Sequence, residues 1–249
     1  MTARYRQIAA DLREAIEKGR YGPGALLPPI TELASRYGVA SMTVRTALNL
    51  LESENLIKVE HGTGSIVLDR RAVPVKLSRY AEVMQPGGTL GPWQTACQRA
   101  GVNGDMVMVD VGTEPAPTDV AAIFGLDEGA EVVRRDRHAT IEEDPVQLHT
   151  AWYPADVAAG TPLAESGRVE GGVYGALVAA GRTPATADEQ ISARPATAEE
   201  AAELGLREMA NVLVLDRTTR DRDGRVLELL RVVADPARSI FVYDGLPLD

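Results

Sequence analysis

The sequence predicts an α+β protein, in which a small helical unit ending in a β-hairpin precedes a larger unit built on an antiparallel sheet. Three observations lead to this class. Residues 1–70 place apolar side chains at three- and four-residue spacings, as amphipathic helices do. Beyond residue 88, short strand-like runs, the first at Met106, alternate with short helical runs and are joined by hairpin turns. The balance of charge also changes between these two parts.

Three short helices are predicted in the first part. Residues 5–19 place apolar side chains on one helical face, and Gly19 ends the run. A loop rich in glycine and proline follows. The next two helices, 31–37 and 41–53, are joined by the tight turn Gly38-Val39-Ala40. Two helices joined in this way form the helix-turn-helix pattern.

A β-hairpin completes the first domain. Two short β-prone runs, Leu56-Ile-Lys-Val and Ser65-Ile-Val-Leu, flank Glu60-His-Gly-Thr-Gly, whose glycines suit a hairpin tip. Three helices followed by a hairpin describe a winged helix-turn-helix domain, which we assign to residues 1–68.

Residues 69–88 are predicted to be a linker, because they contain Asp69-Arg-Arg, Pro74 and Pro86-Gly-Gly. Residues 89–249 then form the second domain. Its strands are expected to pair through hairpins into an antiparallel sheet with helices on one face. No internal repeat and no low-complexity tract is recognised in the sequence.

Composition narrows the function classes. The 249 residues are 45% hydrophobic and 25% charged, as in an ordinary globular protein. No run approaches the ~18 apolar residues of a membrane span, and the start lacks a signal-peptide core. The single cysteine, Cys97, and three scattered histidines form neither an internal disulfide nor a zinc cluster. We therefore expect a cytoplasmic protein with no membrane partner, no structural metal and no cofactor.

The charge is unevenly distributed. The net charge of −10 would by itself argue against nucleic acid as a partner, because duplex DNA repels an acidic surface. Residues 1–70, however, carry nine Lys and Arg against eight Asp and Glu, so the acidity belongs to the rest of the chain. The first domain is nearly neutral. Its affinity for DNA therefore has to come from a few specific contacts and not from a large positive charge.

Two sets of motifs carry a family resemblance. The amino-terminal set comprises Tyr5-Arg-Gln-Ile-Ala, Glu32-Leu-Ala, Tyr37-Gly-Val, Met42-Thr-Val-Arg and Gly62-Thr-Gly-Ser. The second set comprises Glu128-Gly-Ala-Glu-Val-Val-Arg-Arg, Asp144-Pro-Val, Tyr153-Pro-Ala-Asp, Ile191-Ser-Ala-Arg-Pro and Asp223-Gly-Arg. Together the chain resembles a GntR-family transcription regulator of the HutC type, whose second domain is a UTRA domain with the chorismate-lyase fold. The resemblance implies a homodimer that binds a double-stranded DNA operator and a small-molecule effector.

The resemblance assigns the DNA contacts to the third helix, the second helix and the wing. Thr43 and Arg45 match family positions that contact the operator backbone, and an arginine can hold a phosphate through two donors. The expected DNA-binding residues are Ser41, Met42, Thr43 and Arg45 on the third helix, Thr31 on the second, and His61, Gly62 and Thr63 at the wing. A solvated charge is the alternative for Arg45, and an inert exposed histidine is the alternative for His61.

Departures from the family pattern affect this interface. Pro29-Ile30-Thr31 replaces the usual Ser-Glu-Arg, and Ser41 stands where an arginine is common. Each lost arginine would remove about 1–3 kcal/mol if it read a base or a close phosphate. We expect weaker binding, an altered operator or a greater dependence on the dimer.

The resemblance also assigns an effector pocket on one face of the sheet. Its expected residues are Thr89 and Trp93 in the opening segment, together with Arg137, His149, Tyr153, Tyr174 and Glu228. Arg137 would bind a carboxylate or phosphate, and Glu228 would bind a hydroxyl or amine. Solvent-facing charges are the alternative for Arg137 and Glu228, and packing is the alternative for Tyr153. Ala139 replaces a second arginine of phosphosugar-binding members and His149 replaces a carboxylate, so a phosphosugar effector is disfavoured.

Two other functions remain open at this stage. The second domain resembles a lyase fold, but the sequence shows no nucleophile with a base, no metal set and no phosphate-binding glycine loop. The acidic pairs Glu142-Glu143 and Glu199-Glu200 fit a turn and a helix start. The second domain can also serve assembly alone, without any effector. We expect no catalytic residues and favour a regulator, with repression as its mode.

Overall fold

The computed structural model of the chain describes residues 4–69, 71–77 and 91–245. The chain divides into two compact units, Met1–Arg71 and Ala72–Asp249. Each unit contains helices and antiparallel strands. The predicted α+β class is therefore confirmed.

The first unit consists of helices α1 (Arg4–Glu17), α2 (Ile30–Tyr37) and α3 (Ser41–Ser53), followed by the antiparallel strands β1 (Ile57–Glu60) and β2 (Gly64–Val67). This is the predicted winged helix. The apolar positions inferred from helical spacing meet in one core, which removes their side chains from water. The core includes Ile8, Ala9, Leu12, Leu33, Val44, Ala47, Leu48, Leu51, Ile57 and Val67.

A glycine at the end of α2 sets the direction of the turn into α3. Gly38 ends α2 in the left-handed region with φ 61°, a conformation in which an L side chain is strained. The backbone N–H of Val39 then donates to Ala34 O at 3.0 Å. At the far end of α3, Arg13 of α1 donates to both carboxylate oxygens of Glu54 at 2.6–2.9 Å. The inner face of α3 is thereby fixed and its outer face is left exposed.

The second unit is built on an antiparallel sheet whose order is β4-β5-β6-β9-β8-β7 in the described part of the chain. Helices pack on both of its faces, so the expectation of helices on one face was wrong. Its elements are β3 (Val73–Lys76), α4 (Pro92–Ala100), β4 (Gly104–Pro115), α5 (Thr118–Phe124), β5 (Glu131–Ile141), β6 (Asp144–Pro154), α6 (Ala155–Ala158), a 3-10 turn (Pro162–Ala164), α7 (Gly172–Ala179), β7 (Thr186–Pro195), α8 (Ala198–Glu203), β8 (Asn211–Arg220), β9 (Val226–Ala234) and β10 (Ser239–Val242).

Two faces of this sheet are covered differently. Successive side chains of a strand point to opposite faces of the sheet. One face, called the site face, carries Arg137 of β5, His149 of β6 and Glu228 of β9. Its apolar positions pack with residues of α4, α6 and α7 in the largest core. The opposite face packs against α5 and α8 in two smaller cores. Because β9 is buried almost throughout, its residues face a core on both sides.

Part of the predicted linker 69–88 is a strand. β3 pairs in parallel with β10, and Val73, Val75 and Leu77 are buried. Pro74 suggested a linker, but a proline is tolerated where a strand has a free edge. Residues 78–88 of the predicted linker lie outside the described residues.

An internal repeat divides the sheet, so the expectation of no repeat was wrong. The first repeat (104–154) contains β4, α5, β5 and β6, and the second repeat (186–234) contains β7, α8, β8 and β9. Each repeat contributes three neighbouring strands, β4-β5-β6 and β7-β8-β9, and the two sets meet at β6 and β9 in the centre of the sheet. Identical residues at an offset of 80 are Pro115/Pro195, Ala116/Ala196, Ala121/Ala201, Ala122/Ala202, Gly125/Gly205, Leu126/Leu206, Glu128/Glu208, Ala130/Ala210, Val132/Val212, Asp136/Asp216 and Arg137/Arg217.

Backbone hydrogen bonds reproduce the same repeat. Ala116 N donates to Ala130 O at 2.8 Å, and Ala196 N donates to Ala210 O at 2.8 Å. The loops before β5 and β8 have the same backbone conformation even where their residues differ. Met209 adopts φ 60°, and the equivalent Gly129 of the first repeat has φ 82°. A non-glycine residue in this region indicates that the loop geometry is imposed by its surroundings.

Candidate functional site

The outer face of α3 is an exposed stripe of short polar side chains, one arginine and one methionine. Ser41, Met42 and Arg45 are exposed, whereas Thr43 is half-buried. Met42 is 69% exposed, which is unusual for a large apolar side chain. Thr46 and Asn49 continue the stripe at helical spacing. Sequence reasoning missed both, although they stand four residues after Met42 and Arg45, respectively. A helix with this outer face and an apolar inner face fits the major groove of DNA.

The residues expected to support α3 are also at the surface. Thr31 is exposed in the first turn of α2, and His61, Gly62 and Thr63 are exposed in the turn between β1 and β2. Glu60, the negative charge beside the wing, forms an ion pair with Lys58 at 3.0 Å. The wing therefore presents no uncompensated carboxylate from Glu60.

On the site face, Glu228 is the centre of a buried hydrogen-bond network. Tyr153 Oη donates to Glu228 Oε1 at 2.6 Å, and Tyr174 Oη donates to Oε2 at 3.1 Å. Thr219 Oγ1 lies 3.3 Å from Oε2 and 3.1 Å from Tyr174 Oη. Burial, together with Glu228, holds the pKa of Tyr153 well above its usual value, so this phenol stays a donor. Three hydroxyl groups thus hold a carboxylate that is 3% exposed.

Arg137 lies two strands away from Glu228 on the same face. Met108 on β4 and His149 on β6 are its register partners. Within the described part of the chain Arg137 has no hydrogen bond or ion pair, and its Nε is buried without an acceptor. A guanidinium in this state is a ready partner for an anion.

Arg217, the counterpart of Arg137 in the second repeat, is already paired. Glu189 is its register partner on β7 and accepts from both Nε and Nη2. Tyr243 also donates to Glu189. The Arg217 side chain is 1% exposed and that of Glu189 is 13% exposed. The first repeat has Met108 at the position of Glu189. Among the described residues, Arg217 therefore has a carboxylate opposite it on the neighbouring strand and Arg137 does not.

His149 is a neutral group between these arginines. Gln147 donates through Nε2 to Ser239 Oγ at 3.0 Å, so its Oε1 accepts from His149 Nε2 at 2.9 Å. Burial, Arg137 and Arg217 lower the pKa of His149 to about 3. The ring does not add positive charge to the cluster near neutral pH.

The side chain of Arg135 binds backbone carbonyl groups of the same chain, so it has a structural role. Its Nη1 donates to Leu163 O at 2.6 Å and to Glu165 O at 2.9 Å, and its Nη2 donates to Gly167 O at 2.7 Å. Burial lowers the pKa of this guanidinium. These bonds fix the segment before α7, which carries Tyr174.

The structure separates the expected effector residues into two groups. Arg137, His149, Tyr153, Tyr174 and Glu228 share the site face. Trp93 instead packs into the core from α4, and its Nε1 donates to Thr140 O at 3.0 Å. Thr89 lies outside the described residues. Sequence reasoning missed Arg217, Glu189 and Thr219. The offset of 80 between the repeats indicates Arg217 as the counterpart of Arg137, whereas Glu189 and Thr219 have no identical counterpart in the first repeat.

A separate cleft opens where α4 meets the first strand of the sheet. Its volume is about 680 Å³, and its lining includes Gln94, Gln98, Asp105, Glu142 and Glu143. None of the expected effector residues lines it. Among the described residues, no helix is long and apolar enough to cross a membrane, and no group of three or more potential ligands is placed to hold a metal ion.

Comparison with protein families identifies two models on the chain. The model of bacterial regulatory proteins of the gntR family matches residues 4–67, and the UTRA domain model matches residues 100–238.

The chain is similar to transcription regulators over nearly its whole length and theirs. The uncharacterised HTH-type transcriptional regulator SCO4628 of Streptomyces coelicolor is 32% identical over 97% of this chain and 92% of its own length. The HTH-type transcriptional repressor NagR of Bacillus subtilis is 26% identical over 96% of this chain and 93% of its own. A crystal structure of a protein assigned to the GntR-family transcriptional regulators matches with TM-score 0.61 and 27% identity, covering 100% of this chain and 99% of its own. PhnF of Mycobacterium smegmatis, with TM-score 0.59, 24% identity and coverage of 97% and 100%, shows the same fold.

Proposed function

The chain belongs to the GntR family of DNA-binding transcription regulators with a UTRA effector-binding domain, and on this premise we propose that it is a homodimeric repressor of a two-fold-symmetric operator. Its relatives and structural neighbours are regulators, not enzymes. Repression is supported by the repressor NagR, which matches nearly the whole chain. Action on chromosomal DNA also supports the expected cytoplasmic location.

The exposed stripe on α3 is the observation that carries the proposal. Arg45 contacts a phosphate, Thr43 supports that contact, and Ser41 and Met42 face the base edges in the major groove. Thr31, His61, Gly62 and Thr63 contact the flanking backbone or the minor groove. The family arginines are missing at Ser41 of the stripe and at Thr31 of α2. Two half-sites bound by a dimer then supply the affinity that one near-neutral domain lacks.

The effector proposal depends on Arg137. Its guanidinium binds one anionic group of a small molecule, with His149 beside it as a neutral neighbour. Ala139 is fully buried in the core, so no second cation follows on this strand. A doubly charged phosphate is disfavoured, and an effector with a single carboxylate fits better. Glu228 and the hydroxyl groups around it bind a hydroxyl or amine of the same effector.

Operator binding is tested by footprinting the protein on DNA upstream of its own gene, at low and moderate salt. We expect a two-fold-symmetric footprint that Arg45→Ala abolishes. Arg99→Ala is the matched control, since it removes the same charge from an exposed position in the second domain. Protection without symmetry, or equal loss in both variants, would show nonspecific binding only. A reporter gene behind the footprinted DNA should be repressed in cells, and activation would contradict the proposed mode.

The effector proposal is tested by thermal shift across a metabolite panel. A ligand that binds the folded state raises stability by RT ln(1 + [L]/Kd). We expect the stabilising compounds to be carboxylates and to weaken operator binding through the segment that joins the domains. If no compound class stabilises the protein, the UTRA domain serves assembly only, which is the alternative function.

A further inference from the structure

Met42 is a large apolar side chain on the exposed stripe of α3. It is 69% exposed, and within the described part of the first unit it belongs neither to the core nor to the apolar residues packed against that core. The other apolar residues of this helix are buried or half-buried: Val44, Ala47, Leu48, Leu50 and Leu51. A single exposed apolar side chain can occur anywhere on a protein surface. Its place on the helix and the chemistry around it therefore decide what Met42 does.

The amino end of α3 is open to a duplex. Met42 is the second residue of this helix, and the first residues of a recognition helix are those that reach base edges in the major groove. Ala40 precedes the helix without a side-chain cap, and the first turn contains no acidic residue. Because DNA is negatively charged, the absence of carboxylates from this turn lets the helix end approach it without repulsion from its own side chains. Met42 is thus placed to meet bases rather than phosphates.

The chemistry of the Met42 side chain selects among the bases. In the major groove the bases present nitrogen and oxygen atoms that form hydrogen bonds, and thymine also presents its C5-methyl group. A thioether donates no hydrogen bond and is a weak acceptor, so it would desolvate those polar atoms without replacing their bonds to water. Contact with the methyl group instead removes apolar surface of both partners from water. Thymine is therefore the base that Met42 favours.

We propose that Met42 determines operator specificity by packing against the C5-methyl group of one thymine in each half-site. This assignment rests on the operator binding proposed above and names a base that the site reads. Arg45 is the only basic residue of α3 and is assigned to a phosphate, so the helix has no second cation for a bidentate contact with guanine. The hydroxyl of the neighbouring Thr46 donates to Met42 O at 3.0 Å, so its proton is used within the helix. The apolar contact of Met42 therefore carries base discrimination at this end of α3.

Replacement of thymine by uracil tests this contact, because uracil lacks only the methyl group. The full-length protein is titrated against the footprinted operator, in which the thymines of one half-site are replaced by deoxyuridine one at a time. At one position the replacement should lower the affinity about three- to fivefold, as expected for one methyl group left without its apolar contact. Replacement at the same position of both half-sites should lower the affinity about tenfold or more, since distant contacts add.

Variants of Met42 assign the effect to its side chain. Met42→Ala should bind the thymine and uracil operators equally, and it should fold, because the position is exposed and alanine favours a helix. Met42→Leu should retain the discrimination, whereas Met42→Gln, of similar length but polar, should lose it. Arg45→Ala should weaken binding to both operators by the same factor, because a phosphate contact carries no sequence information. Met209→Ala is the matched control: it removes a methionine that is 72% exposed in the second unit, and it should change neither affinity.

The same titrations separate failure of this contact from failure of operator binding. A wild-type protein that binds the operator but is indifferent to uracil at every position would overturn the role of Met42 and leave operator binding in place. Discrimination that persists in Met42→Ala would overturn it too, because another side chain or the shape of the DNA then senses the methyl group. Equal discrimination by Met42→Leu and Met42→Gln would contradict an apolar contact. Absence of a symmetric footprint would overturn both proposals.

Discussion

The two repeats of the UTRA domain share a backbone and differ in what they leave unsatisfied. In the second repeat Arg217 is neutralised by Glu189, and the edge strand β7 is regular. In the first repeat Arg137 has Met108 opposite it, and the edge strand β4 carries a bulge. The first repeat thus has a cation on the site face without a partner among the described residues, and a bulged edge strand. The second repeat has a paired cation and a regular edge strand. The division between the repeats is therefore one of charge compensation on the site face and of regularity at the sheet edge.

The largest expected effect is on stability. Arg217→Met leaves the mostly buried Glu189 without its cation, so we expect a loss of about 3 kcal/mol in the free energy of unfolding. Arg137→Met removes a guanidinium that pairs with nothing among the described residues, so we expect a change of less than about 1 kcal/mol. Urea unfolding followed by tryptophan fluorescence measures both, because the two tryptophans, Trp93 and Trp152, lie in the second unit. Equal losses in the two variants would contradict the division between repeats.

A pH effect of intermediate size is expected from His149. Its pKa is lowered to about 3 in the folded state and stays near its ordinary value of about 6.5 when unfolded. The unfolded chain therefore binds more protons below about pH 6.5, so the stabilisation from the neutral ring is present above that pH and is lost as the pH falls. The expected slope is about 1 kcal/mol per pH unit.

The second repeat supplies the control substitution for His149. Leu230 faces Arg217 as His149 faces Arg137, so His149→Leu copies that repeat. The variant should lose most of the slope between pH 6.5 and 5 in urea unfolding curves. An unchanged slope would mean that other groups cause the acid sensitivity of the domain.

The smallest expected effect on stability comes from copying Glu189 into the first repeat. Met108→Glu places a carboxylate opposite Arg137 and should raise the free energy of unfolding by up to about 1 kcal/mol. It should also abolish stabilisation by any effector that needs Arg137, while operator binding persists. Val107→Glu is the control, because it adds the same charge on the opposite face of the same strand. If both variants respond alike to the effector, Arg137 is not its anion site.

Local patterns predicted much of the fold. The three helices of the first unit and its hairpin followed from apolar spacing and from glycine positions, since each depends on neighbours within a few residues. The strand β3 was missed because Pro74 resembles a linker residue until β10 is placed beside it. The repeat was missed because the identical residues are spread over a helix, a loop and a strand. No identical stretch is longer than two residues, as in Asp136-Arg137 and Asp216-Arg217.

The candidate site shows a sharper division between sequence and structure. The sequence by itself determined that the first domain is a winged helix with an exposed polar face on α3, and that Arg137, Tyr153 and Glu228 are candidates for an effector site. Only the tertiary structure decided which charges are compensated. Glu189 and Arg217 are 28 positions apart, and sheet register makes them a pair while it leaves Arg137 beside Met108. The physical reason is that a charge is neutralised by whatever lies within a few ångströms of it, and distant pairing of strands sets those neighbours.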